Sequence, residues 1–198
     1  MLLLCLPICL VAYPILKIWL GIVPDYSVEF LQIVTVQSLF QVFDTSFYTA
    51  LYAKGRLSEN AQISPSIGFL TFPVVYIMFR MGYSPLALSW AFLINYALLG
   101  LIVKPVLIVR IANYKWSEIA KVYIDCAKVS LASAPIPCML YYFQHQIWGE
   151  NIYISLVVIT IVSVMSVMLS VWLFGLSTPL KEKIKVVVRN KIVKKAEI

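Results

Sequence analysis

The sequence predicts an all-α integral membrane protein, and three observations point there. First, 62% of its 198 residues are hydrophobic and only 13% are charged. Soluble domains average about 45–50% apolar and about 25% charged residues. Second, six stretches have the roughly 20 mostly apolar residues needed to cross a hydrocarbon core of about 30 Å. They cover about 2–20, 28–53, 61–80, 84–109, 122–143 and 152–176. None alternates with the period of two of a lipid-facing barrel strand, so helices are expected. Third, the cations are sorted. Lys54, Arg56, Lys104, Arg110, Lys115, Lys121, Lys128 and the cations of the tail fall on one side, leaving Lys17 and Arg80 for the other. The positive-inside rule makes the first side cytoplasmic, with both termini there. Residues 1–176 then form a transmembrane lobe and 177–198 a basic cytoplasmic tail. The net charge of +7 follows from this sorting and calls for no nucleic acid.

Each element follows from local chemistry. Span one contains Pro7 and Pro14, which should kink it, and ends where Gly21 and Pro24 break the helix. Span two, 28–53, is long enough to tilt. Span three opens near SENAQISP, with Ser58 or Asn60 available as an N-cap, and contains Pro65 and Pro73. Span four runs from Pro85 past Asn95 and Gly100 into KPVLIVR. In NYKWSEIAKVYIDCAK, Glu118, Lys121, Asp125 and Lys128 are spaced i, i+3, i+7, i+10 and share a helical face. That spacing predicts a short amphipathic helix at the cytoplasmic interface, leading into span five. Pro135 and Pro137 should interrupt span five at membrane depth. In span six, Ser163, Ser166 and Ser170 form a stripe that lets a neighbouring helix approach closely. Trp19, Tyr26, Tyr83, Tyr114, Trp116, Trp148 and Trp172 lie near span ends, as an interfacial aromatic belt requires. Met1 leads straight into LLLCLPICLVAYPIL without a basic flank or cleavage site, which reads as a truncated chain or the second half of a longer transporter.

The stretch QSLFQVFDTSFYTALYAKGR (37–56) carries the strongest functional signal. Gln37, Gln41, Asp44 and Tyr48 are spaced i, i+4, i+7, i+11 and line one face of span two. A carboxylate near mid-span costs about 2.5–3.5 kcal/mol on insertion scales, so this stripe must face protein or a water-filled cavity. It then either lines a hydrophilic substrate path or bonds neighbouring helices through partners such as Asn95 or Lys104. Lys104 and Arg110 could contact a lipid-linked phosphate, although ordinary snorkelling to the cytoplasmic surface is the simpler expectation. Gln37, Gln41, Asp44, Tyr48, Asn95 and Lys104 are therefore the candidate path residues. Ten prolines, most in or beside spans, suit helices that bend during transport.

Enzyme signatures are missing from the sequence. His145 is the sole histidine and reads as a rim residue, and no G-x-S-x-G elbow or phosphate-binding glycine loop occurs. Cys5, Cys9, Cys126 and Cys138 form no CxxC pair and read as small apolar fillers, so neither metal nor cofactor is expected. Transporter is the expected class.

Residues 13–56 also resemble the polysaccharide and O-antigen flippase family of the multidrug/oligosaccharidyl-lipid/polysaccharide exporter superfamily. The resemblance is carried by IWLG (18–21), Tyr26 and LYAKGR (51–56), with support from MGYSPLALSWAF (81–92) and KWSEI (115–119). It implies a bacterial inner-membrane protein that moves an undecaprenyl-diphosphate-linked oligosaccharide between leaflets. It also implies two helical lobes around a hydrophilic cavity, of which this chain would be the C-terminal one, its partner lobe on another chain. Asp44 departs from the basic cavity usual in that family. Two other readings remain: a cation-coupled multidrug antiporter with Asp44 as its ion site, and a non-transporting remnant or assembly protein.

Overall fold

A computed structural model describes residues 1–55, 58–149, 151–176 and 181–182, apart from the side chains of His145 and Trp148. Arg56, the rim role of His145 and all of the basic tail except Lys181 and Glu182 lie outside the described residues. Among those described, every regular element is a helix.

The chain opens with α1 (Leu2–Leu10) and α2 (Ala12–Leu20), which meet at a bend of 73°. Pro14 lies in the first turn of α2. It has no N–H to give the Leu10 carbonyl, and its ring crowds that carbonyl, so the ladder breaks at Val11. Pro7, by contrast, is carried inside α1. Then follow α3 (Ser27–Ala53) and α4 (Ser58–Arg80). Next, α5 (Leu86–Leu98) passes through a π-helical turn, Leu99–Val103, into α6 (Lys104–Ala112). The later helices are α7 (Trp116–Ser133), α8 (Pro135–Trp148) and α9 (Ile152–Ser170), the last closing on a second π turn, Val171–Gly175.

By length and composition, Ser58–Arg80, Leu86–Ala112 and Ile152–Gly175 can each cross a membrane, and the bent pair α1–α2 would make a fourth span. The molecule is thus a helical membrane protein at this level, but six spans are not borne out. The reasons are local. Gln37, Gln41 and Asp44 lower the hydropathy of α3. The amphipathic segment expected to be short is continuous with the first half of the expected span five. The resulting 18-residue α7 carries Glu118, Lys121, Asp125 and Lys128. Ala134–Pro135 then breaks the chain as the prolines predict, and α8 has only 14 residues.

Packing falls into two groups joined by α3. On one side α3 meets α5, the π turn and α6, with α4 held against α5. On the other, α9 meets α1, α7 and α8, and α1 returns to α3. The serine stripe behaves as its size suggests: Ser155, Ser163, Ser166 and Ser170 are all buried on α9. The Ser166 hydroxyl donates to the Ser133 carbonyl at 2.8 Å, on the last turn of α7. Four residues on stands Pro137, which has no N–H to give that carbonyl, so a side chain of α9 supplies the donor at the helix break. An apolar cluster of Leu51, Leu107, Ile108, Ala112 and Ile119 seals the junction of α3, α6 and α7.

Candidate functional site

The buried polar centre of the molecule is Lys104. Its side chain is 2% exposed, and its ammonium nitrogen lies 3.1 Å from Oδ1 of Asp44 on α3. The same nitrogen donates a short hydrogen bond to Oδ1 of Asn60 on α4, which also accepts from the Ser64 hydroxyl at 2.9 Å. The Tyr48 ring lies beside the ammonium, its centroid 5.6 Å away, within cation–π range. Three helices are therefore tied through one nitrogen. The Asp44 contact is an ion pair rather than an aligned hydrogen bond, which leaves Oδ1 without an oriented donor.

The backbone around Lys104 explains how the site is built. Pro105 follows it and cannot donate to the carbonyl four residues back, inside the π turn Leu99–Val103. The carbonyl of Gly100 in that turn accepts the Tyr123 hydroxyl of α7 at 2.5 Å. Tyr123 in turn packs its ring against Phe43 and Phe47, flanking Asp44 on α3, with centroids 5.0 and 5.9 Å away. Single-turn π segments recur at functional sites, and this one leads directly into the buried cation. Removing the tether should be measurable: Tyr123→Phe is expected to destabilise the protein by about 1–2 kcal/mol, the usual cost of stranding a buried acceptor. Thermal unfolding of the purified variant checks it, and an unchanged midpoint would mean that the π turn does not need the tether.

Of the six path residues expected from sequence, Asp44, Tyr48 and Lys104 come together here. The other three do not. Gln37 is half-buried without a partner among the described residues, and Gln41 is exposed on another side of α3. Residues advance about 100° per step around a helix, so a stripe spanning Gln37 to Tyr48 is wide enough to serve two directions. Its second direction carries Ser38, Gln41, Thr45 and Ser46, which with Met1 line an open cleft of about 390 Å³. Asn95 is buried apart from the centre, in a groove between α4 and α5 with Thr71 and Trp90. Its Oδ1 has no hydrogen-bond partner.

Two expectations are corrected. Lys104 does not snorkel, because Asp44 and Asn60 hold its ammonium inside; Arg110, six residues on, is exposed. Asn60 is not an N-cap, because its carboxamide oxygen is committed to Lys104 and Ser64. Asn60, Gly100 and Tyr123 were not legible as site residues. The only hint was the Lys-Pro step at 104–105, which places a cation where a proline disturbs the ladder.

Among the described residues no group of three or more His, Cys, Asp or Glu side chains could hold a metal ion. Their four cysteines are free. No family model, curated protein or solved structure matches the chain.

Proposed function

We propose that the protein is a membrane transporter subunit whose α3 helix lines a hydrophilic path. The observation that carries this reading is the two-sided use of that helix. One side spends its carboxylate on the buried Lys104–Asn60 centre, while the other presents Ser38, Gln41, Thr45 and Ser46 to an open cleft. Polar groups at membrane depth are retained where they meet protein or water. Among the described residues this second face bonds another helix only through Ser38, whose hydroxyl lies 3.3 Å from the Cys5 thiol of α1. Thr45 instead donates back to the Gln41 carbonyl of its own helix at 2.9 Å.

The substrate class comes from the resemblance of residues 13–56 to polysaccharide flippases. It is a lipid-linked oligosaccharide, carried in a bacterial inner membrane with the Lys- and Arg-rich connections facing the cytoplasm. The chain would act as one lobe, its α3 cleft completed by a partner lobe. The interfacial role of the charged face of α7 belongs to the same topology. The antiporter alternative loses its main support, because the cation beside Asp44 is already supplied by Lys104.

Complementation of a flippase-deficient strain tests the proposal, with the chain alone and beside a candidate partner lobe. Surface glycan should return with the paired lobes. Gln41→Leu, which alters the open face and leaves the buried centre intact, should lower it at least several-fold. Verified membrane insertion with no glycan in any format would sink the transport reading.

A further inference from the structure

At the end of the bundle where α8 turns into α9, the chain forms a cup of about 410 Å³, lined by Tyr13, Tyr141, Gln144, Asn151 and Ser155 among others. We propose that this cup binds an uncharged saccharide unit. It lies apart from the Lys104 centre and shares no residue with it.

The case rests on what the cup offers and what it lacks. Two phenol rings come from different helices, Tyr13 from α2 and Tyr141 from α8, and they are 49% and 42% exposed. Aromatic faces of this kind attract the slightly positive C–H faces of a sugar ring, because the ring quadrupole puts negative charge on the face. The same lining carries two carboxamides. Gln144 Oε1 accepts the Ser155 hydroxyl at 2.5 Å, which orients the amide and leaves its two N–H groups without partners among the described residues. Asn151 occupies the N-cap position of α9, yet its side chain makes no capping bond. Its donors and its acceptor are therefore free for a ligand, and so are the backbone N–H groups of the first turn that it fails to cap.

No described lining residue carries a charge. An anionic ligand would be expected to meet Arg or Lys, which pair with it far more strongly than amides do. A quaternary ammonium would suit the two rings but would leave both carboxamides unpaired, since it neither donates nor accepts. Amides and phenols beside a pair of rings match a neutral polyol, which both donates and accepts. The volume lies within the range of small-molecule sites, about 300–1,000 Å³. Gly149, which also lines the cup, ends α8 at φ 64°, a backbone conformation that favours glycine.

As a statement about binding, the inference is independent of transport; as a statement about substrate, that the glycan presents a neutral unit here, it rests on the flippase reading. The test is saturation-transfer NMR on the full chain in phospholipid nanodiscs, free of glycoside detergent. Maltotriose is the probe, with its aminated and sulfated counterparts alongside. Neutral sugar should give the strongest transfer. Asn151→Ala, which removes a side chain without internal bonds, and Tyr141→Ala should each reduce it at least five-fold with the helical content unchanged. Equal transfer in both variants overturns the proposal, as does a preference for either charged sugar. Saccharide binding that survives while complementation fails would remove the transport reading and leave this one standing.

Discussion

Asp44→Leu is expected to destabilise the protein by about 3–5 kcal/mol, the cost of leaving a buried charge without its counterpart. Lys104 is 2% exposed, so its ammonium cannot turn to solvent without the junction of α3, α4 and α6 opening. Asn60 alone can solvate part of that charge but cannot neutralise it. Lys104→Met should cost less, because Asp44 is 22% exposed and reaches water more easily. The combined variant Asp44→Leu/Lys104→Met should recover most of the loss, since apolar replacement of a whole buried pair is often neutral or stabilising. Thermal unfolding of the four proteins in one detergent gives the coupling energy as a double-mutant cycle. A double variant less stable than either single would refute the pairing. A stable double variant that fails in the complementation assay where the unaltered chain succeeds would show that the pair is kept for function rather than stability.

Gly100→Ala should have the next largest effect, and here two terms compete. Alanine in a helix is favoured over glycine by about 0.5–1 kcal/mol. Against this, a Cβ at Gly100 would lie 2.8 Å from the Phe40 carbonyl oxygen and 3.4 Å from the Phe43 Cβ. The nearest atom is backbone, so no side chain can swing aside, and α3 itself must shift. Overpacking of this kind costs about 1–3 kcal/mol, so a net loss of about 1–2 kcal/mol is expected. The same movement would draw Asp44, whose backbone nitrogen is 3.7 Å from the new Cβ, away from Lys104. Gly68→Ala on α4 is the matched control. Nothing lies within 4 Å of a Cβ there, and that substitution should be neutral or stabilising. If both variants melt together, the close approach of α3 and the π turn is not what the glycine serves.

The stripe on α3 shows how far a one-dimensional reading reaches. Spacing alone places Gln41 and Asp44 near one another on a helix, and insertion energetics require both to avoid lipid. Neither consideration distinguishes a cleft-facing amide from a carboxylate buried against another helix. The π turn was hidden for a similar reason. A proline at 105 announces a disturbed ladder, but its relief by the Tyr123 hydroxyl depends on α7 folding back across α3. The six expected spans overcounted because the polar stripe lowers the hydropathy of α3, the charges of α7 belong to the helix expected to open span five, and the break at Ala134–Pro135 leaves α8 only 14 residues long.

Composition and periodicity alone determined that the chain is helical and apolar enough for a membrane. They also marked Pro7, Pro14, Pro135 and Pro137 as points of interruption, of which Pro7 is instead carried inside a helix, and put a polar face on α3. These are local consequences of backbone chemistry and of the cost of polar groups in hydrocarbon. Only the tertiary structure decided that Lys104 is buried rather than snorkelling, that Asn60 and Asp44 hold it, and that Asn95 stands apart. A buried charge is tolerated where partners from separate segments converge within a few ångströms, and that convergence is a property of the packed helices.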